Sequence, residues 1–152
     1  MKLHIVGSGC PQPVPEQYGS AFVLEMGEEL FVVDCGPAAT YKMVCMGLAP
    51  LRVNHLFFTH HHFDHNGDFP CFALTRWDAA TRGEPLHTYG PPPTEQFVAR
   101  LLGEQGAFYP DWQSRIKHPA SHACHTQRGG TLPRPAPAVE ANDVGPGQVI
   151  GG

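Results

Sequence analysis

The residues best equipped for chemistry lie in one short segment, Phe57-Phe58-Thr59-His60-His61-His62-Phe63-Asp64-His65-Asn66-Gly67-Asp68. It contains His-x-His-x-Asp-His directly behind an apolar run. Neutral imidazole and carboxylate are good zinc ligands, at about 2.0–2.2 Å. His60 and His62 are two apart, so on extended backbone they face the same side and leave His61 outside, toward solvent or behind the ligands. Asp64 and His65 follow closely enough to serve a second ion, and two-metal hydrolytic sites hold their ions about 3.5–4 Å apart. The chemistry implied is hydrolysis by a metal-activated water.

Rigid elements must present these side chains. The run Val53–Phe58 is a buried strand whose end carries the cluster. Lys2–Val6 reads as a strand ended by Gly7-Ser8-Gly9, and Ser20–Met26 and Glu29–Asp34 as a hairpin turning at Gly27-Glu28. The apolar Leu30-Phe31-Val32-Val33 suits a strand covered on both faces. Helices are expected over Ala38–Met46, stopped by Gly47, over Phe69–Ala80 with Pro70 in its first turn, and from a capping Thr94 to about Leu102. Leu86–Tyr89 is a further strand. From Pro119 to Gly152 there are 5 Pro and 6 Gly, which leaves room for at most two short strands, near Ala138–Val144 and Gln148–Ile150. Alternating strands and helices make the class α/β, with mixed or antiparallel pairing at the start.

The motif Thr59-His60-x-His62-x-Asp64-His65 behind a hydrophobic strand resembles the signature of metallo-β-lactamase-fold hydrolases. Gly7-Ser8-Gly9 with the proline-rich loop after it, then Val33-Asp34-Cys35-Gly36, then His60–His65 keep the order of the ribonuclease Z and arylsulfatase-like branch. The likeness covers residues 1 to about 112 well and the tail loosely. It implies that His60 and His62 bind one zinc, and Asp64 and His65 the other. It further implies that Asp64 orients or deprotonates the attacking water as the catalytic residue, and that Asp34 supports the site from beneath. Without the resemblance, Asp34 also reads as an ordinary strand-end carboxylate accepting backbone hydrogen bonds. Mn²⁺ or Fe²⁺ could stand in for Zn²⁺. Ribonuclease Z proteins commonly have glycine where this chain has Phe63, so that position leans toward the arylsulfatase-like or general hydrolase side.

The complete fold of such hydrolases is an αββα sandwich of two similar halves with the metals between them. A chain of 152 residues matches the N-terminal half alone. The expected organisation is residues 1–118 as that half and 119–152 as a Pro/Gly-rich segment leading toward a second one. Three functions follow. The first is a zinc-dependent hydrolase acting on a small-molecule ester or phosphodiester. The second is a truncated, inactive half-domain, inert or rebuilt into a complete site as a homodimer. The third is a ribonuclease Z-like endonuclease trimming transfer RNA 3′ ends.

Composition narrows the partners. Ten basic against fourteen acidic residues give −4, which disfavours nucleic acid. The charge is uneven, however: the stretch from Trp112 onward holds 4 Lys/Arg against 2 Asp/Glu. The apolar runs are too short for a membrane span and no signal peptide is readable, so a cytoplasmic location is expected. Five scattered cysteines make neither a disulfide framework nor a Cys-rich zinc site. His118, His122 and His125 form a second set, His-x-x-x-His-x-x-His, that could replace ligands. Pro119 inside it and the lack of a carboxylate favour a solvated loop instead.

Overall fold

The computed structural model describes residues 1–150. The expected Pro119–Gly152 segment therefore has its last two residues outside the described part. Six strands form one sheet in chain order: β1 (Lys2–Ser8), β2 (Ser20–Met26), β3 (Glu29–Val33), β4 (Val53–Phe57), β5 (Leu86–Gly90) and β6 (Val139–Asp143). The first three pair antiparallel, and β3 through β6 pair parallel. The β2–β3 turn needs Gly27, which sits at φ 61°.

Six α-helices occur among the described residues, α1 (Ala39–Cys45), α2 (Phe63–Asn66), α3 (Phe69–Ala79), α4 (Thr94–Leu102), α5 (Tyr109–Lys117) and α6 (Pro119–Gln127), together with a short 3-10 turn over Pro50–Arg52. One face of the sheet gives Val23, Leu30, Val32 and Leu56 to the core, where they meet Met43 of α1, Phe69 and Phe72 of α3, and Val98 of α4. Phe69 and Phe72 are fully buried, each stabilising by roughly 1.5–3 kcal/mol relative to exposure. Arg76 locks the far end of α3 to the sheet by donating to the Val53 and Glu84 carbonyls at 2.6 and 2.9 Å.

The other face carries a row of partly exposed rings. Phe31, His55 and His87 lie side by side across β3, β4 and β5, with centroids 5.4 and 5.2 Å apart. On the edge strand β1, beyond β2, Leu3 and Ile5 are 61% and 59% exposed.

Several expectations need correction. Thr94 is the first helical residue, not the cap; Pro93 holds the capping position, and the Thr94 hydroxyl donates to the Pro91 carbonyl. Gln148–Ile150 forms no strand, because Gly147 at φ 82° turns the chain and leaves Val149 93% exposed. The histidines of 118–125 lie on a helix rather than in a loop. Pro119 occupies the first turn of α6, where it lacks only an N–H that the helix does not use, and His118 caps it by accepting from the Ala120 N–H. Helix α5 has Trp112 as its one buried residue, so hydrophobic periodicity does not announce it. No helix among the described residues is long and apolar enough to cross a membrane.

Candidate metal centre

Parallel pairing of β3 with β4 puts Val33 beside Phe57, so both strands end at the same edge. Asp34 extends the ladder by donating its N–H to the Phe57 carbonyl at 2.8 Å. It then turns through φ 60°, a left-handed conformation that Asp tolerates better than most residues. The turn brings Cys35 and Gly36 under the motif. The Cys35 N–H donates to the His65 carbonyl at 2.7 Å, and the Asp68 N–H to the Cys35 carbonyl at 3.0 Å. A Cβ on Gly36 would sit 2.0 Å from the Asp64 carbonyl oxygen, so only glycine permits this approach. Burial pushes the Cys35 thiol well above its ordinary pKa, reinforced by the charge of Asp68 and by nearby Cys71 and Asp34.

Asp34 is 1% exposed and its carboxylate organises the site. Oδ1 accepts the Thr59 N–H at 2.8 Å, while Oδ2 accepts the Thr59 hydroxyl at 2.8 Å and pairs with His65 Nδ1 at 2.7 Å. A proton on Nδ1 leaves His65 Nε2 with a lone pair for a metal, which is the common carboxylate–histidine–metal arrangement. Thr59 also reaches His60 Nδ1, at 3.0 Å. Sequence reasoning gave Thr59 no role, although its place before His60 in the motif was the available signal.

The motif histidines then cluster. The His60 ring centroid lies 4.0 Å from that of His65 and 4.6 Å from that of His62. Asp64, 5% exposed, sits in the same group, its Oδ2 3.5 Å from His65 Nε2. Its Oδ1 is buried and lacks a hydrogen-bond partner. Among the described residues no three such side chains already close around one point. Ring contact and convergence of ligand nitrogens are different things, and here the groups adjoin without converging. The donor set nevertheless suits a divalent ion: three imidazoles, a carboxylate with an orphaned oxygen, and a buried second carboxylate behind one imidazole.

His61 points elsewhere. Its Nε2 lies 2.8 Å from Thr94 Oγ1 and 3.0 Å from the Pro91 carbonyl, and its ring packs on Phe58 and Phe97. It fastens the motif loop to α4. Phe63 is 60% exposed at the start of α2. His118, His122 and His125 are not brought together as a ligand set.

The same architecture occurs in known proteins. The chain is 32% identical over 122 residues to the ribonuclease Z of Mycobacterium avium, covering 79% of this chain and 42% of that one. It is 33% identical over 116 residues to the ribonuclease Z of Pyrococcus abyssi, covering 76% and 37%. Among solved structures, the short form of human tRNase Z superposes with a TM-score of 0.61 at 29% identity, over 66% of this chain and 38% of that one. The metallo-beta-lactamase fold protein YhfI of Bacillus subtilis gives 0.66 at 16% identity over 99% and 49%, a likeness of fold. The chain thus spans well under half the length of the curated relatives it matches. The sequence profile of the metallo-beta-lactamase superfamily matches residues 14–149, and with the mixed sheet and its flanking helices this places the chain in that superfamily.

Proposed function

We propose that this chain carries metal-ligating and proton-handling residues of a ribonuclease Z-type phosphodiesterase, with RNA as the substrate class. The observation that carries the reading is the buried, unpartnered Asp64 Oδ1 beside His60, His62 and His65, with Asp34 behind His65. The curated ribonucleases Z support the phosphodiester over the sulfate ester toward which Phe63 leaned.

The fold family implies divalent metal, and zinc suits these donors, with Mn²⁺ or Fe²⁺ as other occupants. When bound, such ions would polarise a phosphoryl oxygen and make water acidic enough to react near neutral pH. His60 and His62 would hold one ion, Asp64 and His65 the other. Asp34, 2.7 Å from His65 Nδ1, would keep the His65 proton on that nitrogen and so leave Nε2 free for an ion. The Asp64 carboxylate can accept a proton from attacking water, a role usually worth about 10²–10⁴-fold in rate.

The test uses the purified chain, assayed for zinc content and for turnover of a 3′-extended transfer RNA, an aryl phosphodiester and an aryl sulfate. Zinc lost on His60→Ala and phosphodiester cleaved in preference to sulfate are expected, with turnover collapsing in Asp64→Asn. Zinc well below one ion per chain, unaltered by His60→Ala, would remove the metal reading. A folded chain that binds zinc but cleaves nothing would instead identify a non-catalytic half-domain, and size-exclusion would show whether it pairs as a homodimer.

A further inference from the structure

A cavity of about 370 Å³ lies away from the metal centre, between α3, α5 and α6, within the roughly 300–1,000 Å³ common for small-molecule sites. None of residues 59–68 lines it. Its walls are cationic. Arg115, Arg128 and Arg134 all approach Asp78, at 3.7, 3.3 and 2.8 Å. Arg115 also pairs with Asp111 at 3.1 Å. Three guanidiniums thus share two carboxylates and leave a positive charge over.

The donors are also incompletely used. Arg128 is about half exposed, and among the described residues only its Nη1 meets protein acceptors, both on Asp78. Arg134 has a side chain just 3% exposed, lies 4.1 Å over the Trp77 ring, and gives Nη1 to the Ser121 hydroxyl and Nη2 to Asp78, yet its Nε has no partner. His125, 3% exposed, also lines the cavity, and its Nε2 is unpartnered. The first turn of α6, a nine-residue helix, faces the same space through Ala120 and Ser121, adding the positive end of its dipole.

The Asp78 network has an evident structural task, since it ties residues 128–134 to α3. That task accounts for Arg134 Nη1 and Nη2. It does not account for the surplus charge or for the free donors of Arg128. An anion in the cavity answers both. We infer that this cavity binds the phosphate group of a small phosphorylated molecule. Arg128, Arg115 and the α6 N-terminus would contact the anion directly. Arg134, held on Trp77, would supply fixed positive charge from behind, and Asp78 would hold the three guanidiniums in place. Guanidinium forks match phosphate oxygens two at a time. The cavity has room for a nucleoside-sized remainder.

The experiment titrates metal-free chain with inorganic phosphate and, separately, with AMP, at ionic strength held constant with chloride. Calorimetry gives affinity, and backbone amide shifts locate the site. Saturable binding at one site per chain is expected, with the largest shifts at Ala120 and Ser121. Arg115→Gln combined with Arg128→Gln should weaken it at least tenfold. Both side chains are about half exposed, and circular dichroism confirms that the double variant folds. His60→Ala should leave binding unchanged, which separates this site from the metal centre. Tighter binding of AMP than of phosphate would show that the organic part is also recognised; equal affinities would show recognition of the phosphate alone. Absence of saturation with either probe, or unchanged affinity in the folded double variant, would overturn the inference.

Discussion

Replacing Asp34 by asparagine removes one negative charge from the middle of the candidate metal centre while barely altering volume. Asparagine accepts the φ 60° backbone that Asp34 adopts, so the turn itself is retained. The wild-type carboxylate accepts from the Thr59 N–H, the Thr59 hydroxyl and His65 Nδ1. An amide has one acceptor oxygen. With that oxygen toward the Thr59 N–H, the NH₂ faces Thr59 Oγ1, which can turn its own proton away, and His65 Nδ1, which can accept only by giving up its hydrogen. The His65 proton then moves to Nε2, the nitrogen 3.5 Å from Asp64 Oδ2 and the one proposed to hold an ion. With the amide flipped, NH₂ faces the Thr59 N–H and two donors are opposed in a buried site.

Either arrangement forfeits a charge-assisted bond worth about 1.5–3 kcal/mol. Loss of such a supporting carboxylate typically lowers metal affinity about 10–100-fold, which is about 1.4–2.8 kcal/mol and so agrees with the bond estimate. Zinc affinity by chelator competition should fall by that factor, with ¹⁵N resonances of His65 moving to the Nε2–H tautomer and far-UV circular dichroism unchanged. Affinity within a factor of two of the parent's, with His65 still protonated on Nδ1, would refute the role assigned to Asp34.

Three further outcomes are expected. Gly36→Ala sets a Cβ 2.0 Å from the Asp64 carbonyl and 2.5 Å from the Ser20 nitrogen; both neighbours are backbone, so stability should drop by at least about 1–3 kcal/mol, and an unshifted urea midpoint would contradict this. Burial first, and then the charge of neighbouring His87, lowers the His55 pKa against the opposing pull of Glu29. The folded state then disfavours protonated His55. Its contribution is fully present above the unfolded pKa of about 6.5 and declines as pH falls toward the lower folded value, so His55→Phe should flatten stability in that range. Titration with a thiol reagent at pH 8 should modify Cys10, Cys45, Cys71 and Cys124, all exposed, and spare buried Cys35 until denaturant is added; a fifth rapid thiol in the native chain would disprove the burial argument.

The mixed sheet was readable because its strands are short apolar runs, although β3, expected to be covered on both faces, buries Leu30 and Val32 on one face and leaves Phe31 and Val33 only partly buried on the other. The expected strands Ser20–Met26 and Glu29–Asp34 match β2 and β3 almost residue for residue. Periodicity failed at α5, where one buried tryptophan fixes a helix otherwise facing solvent. Proline misled at α6: Pro119 suggested a broken loop and instead starts the helix, with His118 as its cap.

The candidate site divides in the same way. Residue types and a spacing of two sufficed to group His60 with His62 and to set His61 apart, because an extended backbone alternates its side chains. Residue type and proximity also offered Asp64 and His65 for a second ion, and the resemblance added Asp34 and the catalytic role of Asp64. Only the tertiary structure shows what His61 does instead, since its partners Pro91 and Thr94 lie some thirty residues away at the next strand's end. It alone gives Thr59 its place between Asp34 and His60, through the parallel register of β3 and β4. The arginine-lined cavity was invisible for the same reason. Asp78, Arg115, Arg128 and Arg134 are spread over 57 residues and meet only when α3, α5 and α6 pack. Local backbone geometry is written in neighbouring residues. Convergence of distant charges depends on how helices dock, and no single stretch of sequence carries that.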